Sequence, residues 1–170
     1  MRHVALAGLL ALSLALPAAA SASGPHMPVR SFEQLRQPLP LPYEESANAD
    51  RAVAGAMARA KKGGKLLLID LGGNWCLDCR LLAGTMRTEP LRSWLGRHYE
   101  MVMVDVGRFD KNLQVPRRFG MTGKLEGVPA ILVVDPKTGK LLNAGHVTAL
   151  ADARTMSPQS LADWLAGWVR

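Results

Sequence analysis

Two cysteines stand three residues apart in Trp75-Cys76-Leu77-Asp78-Cys79, and the 170-residue chain has no others. The spacing suits dithiol chemistry: an ionised thiol attacks a disulfide sulfur, and a second thiol close by expels the mixed disulfide. As a structural brace the pair is badly placed. In the chain-entropy picture a bridge closing so short a loop stabilises by only about 2 kcal/mol, against roughly 4.7 kcal/mol for a 100-residue loop. Structural disulfides in an oxidising compartment would be more numerous and more widely spaced.

Such chemistry requires Cys76 at or just before the first helical residue, where unsatisfied N–H groups and the positive dipole end favour a thiolate. Cys79 then falls one turn later, beneath it, as the resolving thiol. The local pattern supplies these elements. Lys65 to Leu71 is a short continuous apolar run, interrupted at Asp70, that predicts a central strand covered on both faces. Gly72-Gly73-Asn74 turns the chain, and a helical pattern runs from Leu77 through Leu81, Leu82 and Met86.

Around this unit, a helix is expected from an Asn48 cap, with Val53, Ala56, Met57 and Ala60 on one face and a stop at Gly63-Gly64. A second helix follows from Pro90 to about Arg97, then a strand over Tyr99 to Val106, a polar loop, and a short helix near Leu113 to Phe119. A third strand begins at Val128-Pro129. Asp135 to Gly139 reads as a turn, with Lys140 to Asn143 returning as the second arm of a hairpin. Ser157-Pro158 opens an amphipathic helix carrying Leu161, Trp164, Leu165 and Trp168. Strands joined through helices imply parallel pairing and the closing hairpin is antiparallel, so the fold class is α/β with a central mixed sheet and helices on both faces.

The N-terminus reads as a secretory signal over 1–22: Arg2 and His3, an apolar run from Val4 to Leu16, then small residues offering cleavage near Ala20 or Ala22. The run is too short for the roughly 20 residues of a membrane span, so no stable membrane insertion is expected. Residues 23–47 contain Pro25, Pro28, Pro38, Pro40 and Pro42 and read as an arm or linker ahead of a domain at 48–170. Net charge is +7, or +6 once Arg2 is removed with the signal. The basic residues are scattered and lack interleaved aromatics, which argues against nucleic acid as a partner.

The run Leu68 to Leu82, with Asp70, Trp75, Cys76 and Cys79, resembles the thioredoxin family, and Val128-Pro129 matches that family's cis-proline position. The resemblance covers roughly Asn48 to Arg170 and implies a thioredoxin-like three-layer sandwich acting as a thiol:disulfide oxidoreductase. Its finer likeness is to exported proteins similar to the carboxy-terminal domain of the membrane disulfide reductase DsbD. The resemblance implies that Cys76 attacks and Cys79 resolves. Asp70 would be the buried acid that exchanges a proton with Cys79 through water. Trp75 would flank the nucleophile, and the Val128 backbone beside Pro129 would pair with an extended substrate.

Between the cysteines the family's Gly-Pro is replaced by Leu77-Asp78. The Asp78 charge should offset part of the helix-end potential at Cys76, with Arg80 as its counter-charge, placing the protein on the reducing or isomerising side. The expected partners are protein thiols and disulfides and a membrane-bound electron donor. The expected cofactor is none beyond the Cys76–Cys79 pair, in a periplasmic or secreted location. Two other readings compete. A copper or zinc site would add His26 and Met27 to the cysteines, although no second C-x-x-C and no H-x-x-x-H supports a metal. A non-catalytic binding module would use Met57, Met101, Met103 and Met121 as an adaptable surface.

Overall fold

The computed structural model describes residues 23–169, so the expected signal segment lies outside the described residues. Helix α1 spans Ala49–Gly63, strand β1 Leu66–Gly72, α2 Leu77–Met86, α3 Leu91–His98 and β2 Tyr99–Asp105. Helix α4 spans Gln114–Arg118, strand β3 Ala130–Val134 and α5 Pro158–Ala166, with 3-10 turns at Phe32–Gln34 and Ala153–Thr155. The Asn48 side chain caps α1 by accepting from the Arg51 N–H at 2.9 Å, and Gly64 ends the helix at φ 64°. Glycine suits that left-handed position because it lacks a Cβ.

Strand β1 is central in a sheet of order β2-β1-β3. It pairs parallel with β2, from Leu66 opposite Tyr99 to Gly72 opposite Asp105, and antiparallel with β3, from Leu67 opposite Val134 to Leu71 opposite Ala130. Leu67, Ile69 and Leu71 face a core cluster shared with Val53, Ala56 and Ala60 of α1. Leu68 faces the opposite cluster, with Leu82 of α2, Leu91 and Leu95 of α3, and Leu161 and Leu165 of α5. This is the expected three-layer arrangement. Each fully buried Leu or Ile stabilises by roughly 1.5–3 kcal/mol, which is why an almost unbroken apolar run occupies the middle strand.

Two expectations are corrected. Strand β3 runs antiparallel to β1 although a helix precedes it: β2 ends at Asp105 opposite Gly72 and β3 begins at Ala130 opposite Leu71, so the intervening segment returns the chain to the end of the sheet it had left. The return arm at Lys140–Asn143 is not a strand: it makes a single bridge, Val134 to Leu141. The buried Asn143 side chain takes the place of further strand pairing. Its Oδ1 accepts from the Val133 N–H at 2.9 Å and its Nδ2 donates to the Ile131 carbonyl at 2.7 Å, satisfying the outer edge of β3.

Residues 23–47 form no regular element beyond one 3-10 turn, yet they are seated on the domain. The Gly24 and Met27 N–H groups donate to Asp163 and Gln159 of α5, each at 2.8 Å, and Met27, Leu35 and Tyr43 are buried. Asn74 holds the end of this segment from both sides. Its Oδ1 accepts from the Tyr43 N–H at 3.1 Å and its Nδ2 donates to the Tyr43 carbonyl at 2.8 Å.

Candidate functional site

Strand β1 ends at Gly72, and a turn closed by the Cys76 N–H donating to the Gly73 carbonyl at 3.0 Å brings the chain to α2. Cys76 is the N-cap of α2, its sulfur accepting from the Cys79 N–H at 3.2 Å. Both cysteines are free thiols. Cys76 keeps 6% of its surface exposed while Cys79 keeps none, so only one of them is open to a partner. The Cys79 thiol and N–H both hydrogen-bond the Cys76 sulfur and hold its pKa below the ordinary thiol value, against burial and the Asp78 charge. Cys79 moves the opposite way, pushed up by its bond to Cys76 and by burial. The Cys76 thiol also donates to the Val128 carbonyl at 3.5 Å, and the Val128–Pro129 bond is cis.

Asp78 lies in the first turn of α2, 5% exposed. Burial raises its pKa, but hydrogen bonds and charge from Arg154 outweigh that and hold the carboxyl below its usual range. Arg154 Nε lies 3.0 and 3.1 Å from the two Asp78 oxygens, and the Arg154 N–H donates to Oδ1 at 2.9 Å. The expected counter-charge, Arg80, is elsewhere: its guanidinium donates to the Leu39 carbonyl at 3.2 Å. Residues two apart on a helix point to different sides, so Arg80 cannot meet Asp78.

Asp70 is fully buried, and its Oδ1 accepts from the Tyr43 hydroxyl at 2.8 Å, while Oδ2 has no protein partner. Burial pushes the Asp70 carboxyl up to about 7, partly offset by the Tyr43 hydrogen bond. A Cβ on Gly72 would fall 2.8 Å from the Cys79 sulfur and closer still to the Tyr43 hydroxyl. Gly72→Ala is therefore expected to destabilise the protein by about 1–3 kcal/mol, the usual cost of overpacking a filled interior. Chemical denaturation of the reduced protein measures this. A variant as stable as the parent would show that the junction is loosely packed.

Trp75, Leu77 and Phe109 are among the four exposed large hydrophobic residues of the described structure, and all three rim the cleft that contains Cys76, Val128 and Arg154. The Trp75 indole donates to the Gly107 carbonyl at 2.7 Å, meets Phe109 edge to face at 6.2 Å, and carries the Arg108 guanidinium 4.4 Å above its ring. The structure thus brings together Cys76, Cys79, Trp75, Leu77, Asp78 and Val128 beside Pro129, with Asp70 buried below. It adds Tyr43, Asn74, Phe109 and Arg154, which the sequence reading did not single out. An aromatic at the end of a Pro-rich run was the one signal for Tyr43.

Of the elements of the competing readings, His26 and Met27 lie away from the cysteines. Met27 is buried against α5, in the cluster opposite the one that holds both cysteines, and His26 beside it is exposed. Met57 and Met121 are partly buried against the core around the cysteines, Met101 against the opposite one, and Met103 against both. No group of three His, Cys, Asp or Glu arranged for a metal occurs among the described residues.

Residues 48–136 match the thioredoxin-like family model. A crystal structure of a disulphide isomerase from Xylella fastidiosa Temecula1 is 38% identical, covering 75% of this chain and 96% of that one, with a TM-score of 0.68. The structure of a DsbH oxidoreductase is 18% identical over 86% of this chain and 95% of that one, with a TM-score of 0.41. No curated protein matches the chain.

Proposed function

The chain belongs to the thioredoxin-like family and is a thiol:disulfide oxidoreductase, and from that premise we propose that it works after export, on the reducing or isomerising side of exchange with protein substrates. In this reading Cys76 attacks a substrate disulfide and Cys79 resolves the mixed disulfide. The Val128 backbone beside Pro129 pairs with an extended substrate segment, and Trp75, Leu77 and Phe109 hold its apolar side chains. The Cys76–Cys79 pair is the only redox group the reaction requires. Its reducing equivalents come from a membrane-bound donor.

The observation that carries the direction is the buried Asp78 carboxylate, fixed by Arg154 in the first turn of α2 and opposing the thiolate at Cys76. By offsetting part of the stabilisation that the Cys79 hydrogen bonds give the thiolate, Asp78 makes the reduced form less stable than it would otherwise be, hence the couple more reducing. The 38% identical disulphide isomerase supports the isomerising side. The N-terminal pattern of Arg2, His3 and an apolar run supports export to the periplasm or beyond.

Equilibration with glutathione buffers tests the direction. The potential is expected between about −270 mV, as in thioredoxin, and about −180 mV, as in protein disulfide isomerase. A value near −120 mV, that of the oxidant DsbA, would overturn the assignment. Asp78→Asn is expected to lower the Cys76 pKa and shift the couple in the oxidising direction by roughly 30 mV for each pKa unit. An unmoved potential would remove Asp78 as the cause.

A further inference from the structure

The N-terminal segment reaches the reacting atoms. Tyr43, 3% exposed, inserts its hydroxyl between the end of β1 and α2, where it donates to Asp70 Oδ1 at 2.8 Å. The same hydroxyl converges with the Cys79 sulfur on the space that Gly72 leaves by having no Cβ. Asn74 fixes the Tyr43 backbone with two hydrogen bonds, which sets the point from which the ring enters the core. A thiol buried at 0% exposure has no direct route for its proton to bulk water. The Tyr43 hydroxyl, hydrogen-bonded to the buried carboxyl, shares with that thiol the space beside Gly72.

We propose that Tyr43 is a catalytic residue that relays the Cys79 proton to Asp70 during resolution of the mixed disulfide, and that the segment before α1 is thereby part of the active site. This rests on the oxidoreductase reading above. As the step begins, Cys76 is joined to a substrate sulfur and Asp70 is ionised. The Cys79 S–H proton passes to the Tyr43 oxygen while the Tyr43 O–H proton passes to Asp70 Oδ1. The Cys79 sulfur attacks the Cys76 sulfur, the Cys76–Cys79 bond forms, and the substrate leaves as a thiolate. The dithiol is oxidised and the substrate disulfide is reduced, with no other reactant. Burial and the Asp70 and Cys79 charges push the Tyr43 hydroxyl far above its ordinary value, so no tyrosinate accumulates and the two protons move together. The Asp70 carboxyl, pushed up to about 7, is suited to accept at neutral pH and to return the proton in the reverse step.

The test is Tyr43→Phe, which keeps the ring in the core and removes only the hydroxyl. Reduced protein mixed with dithiobis-nitrobenzoate releases one nitrothiobenzoate when Cys76 attacks and a second when Cys79 resolves. In the parent, the second phase is expected to rise with pH and level off near 7. In Tyr43→Phe the first phase should be unchanged. The second should slow roughly a hundredfold at pH 7, the low end of what a positioned proton acceptor contributes. Its rate should then climb tenfold per pH unit without levelling, because hydroxide must take the proton. A second phase within twofold of the parent and still levelling near 7 would overturn the relay. So would equal slowing of both phases, which would make Tyr43 a brace only. A parent protein with no second phase would instead sink the oxidoreductase roles of the two cysteines. Should the variant not fold, the parent in H2O/D2O mixtures decides: a curved, two-proton dependence of the second phase supports the relay, and a linear dependence overturns it.

Discussion

Asp70→Asn is expected to leave stability nearly unchanged at pH 4 and to stabilise the reduced protein by on the order of 4 kcal/mol at pH 8. The sign follows from the carboxyl, pushed up from 3.8 to about 7 by burial. The native state therefore holds this proton more tightly than the unfolded chain does. Its stabilising contribution is complete below pH 4 and is lost as the pH rises through 7, where the folded protein must carry an ionised carboxylate in its interior. Asn has nearly the same shape, keeps an acceptor for the Tyr43 hydroxyl, and does not titrate. Urea denaturation of parent and variant at half-unit pH intervals gives the difference directly. Parallel stability curves from pH 4 to pH 8 would mean that Asp70 titrates normally.

That a protein retains a group costing it stability at neutral pH fits a role in proton transfer. A buried Asn or Leu would serve packing alone equally well or better. The same reasoning explains why Asp70 was legible in the sequence: a single charge inside a run of Leu and Ile violates the local pattern, and such violations concentrate at functional positions. Cys76 and Cys79, the Gly64 stop of α1 and the strand–turn–helix around the cysteines were legible for a related reason. Each is encoded by residues within about one helical turn of one another.

What the sequence did not disclose is carried by contacts between distant segments. Tyr43 and Asp70 are 27 residues apart, and Asp78 and Arg154 are 76 apart. No spacing rule links either pair. Arg80 was the nearer cation to Asp78 along the chain, but helical geometry turns it toward Leu39. The hairpin expected after β3 closes through one antiparallel bridge and is cut short at one residue. Asn143 offers an amide that mimics a backbone unit, and its two hydrogen bonds to Val133 and Ile131 end the pairing that Lys140 to Asn143 was expected to continue. Proline content suggested an arm or linker over residues 23–47, but irregular backbone can still be fixed where its side chains are buried, as Met27, Leu35 and Tyr43 are.

Cys79→Ala should reduce disulfide exchange with protein substrates by more than about a hundredfold and leave the protein covalently joined to its substrates through Cys76. The asymmetry of the two thiols makes this the informative substitution. Cys76 is the thiol at the surface and at the N-cap of α2, and the N–H of residue 79 that bonds its sulfur survives in the Ala variant. The Cys79 thiol, the largest contributor to the lowered Cys76 pKa, is lost. Alkylation of Cys76 by iodoacetamide should thus slow at pH 7 without stopping. Exposure to scrambled ribonuclease should then yield mixed disulfides stable to gel electrophoresis without reductant and dissolved by dithiothreitol. The complementary Cys76→Ala variant should yield none, because Cys79 is wholly enclosed and its pKa is pushed up by Cys76 and by burial. Adducts formed by Cys76→Ala in place of Cys79→Ala would reverse the roles of the two cysteines, and with them the direction in which Tyr43 and Asp70 move the proton.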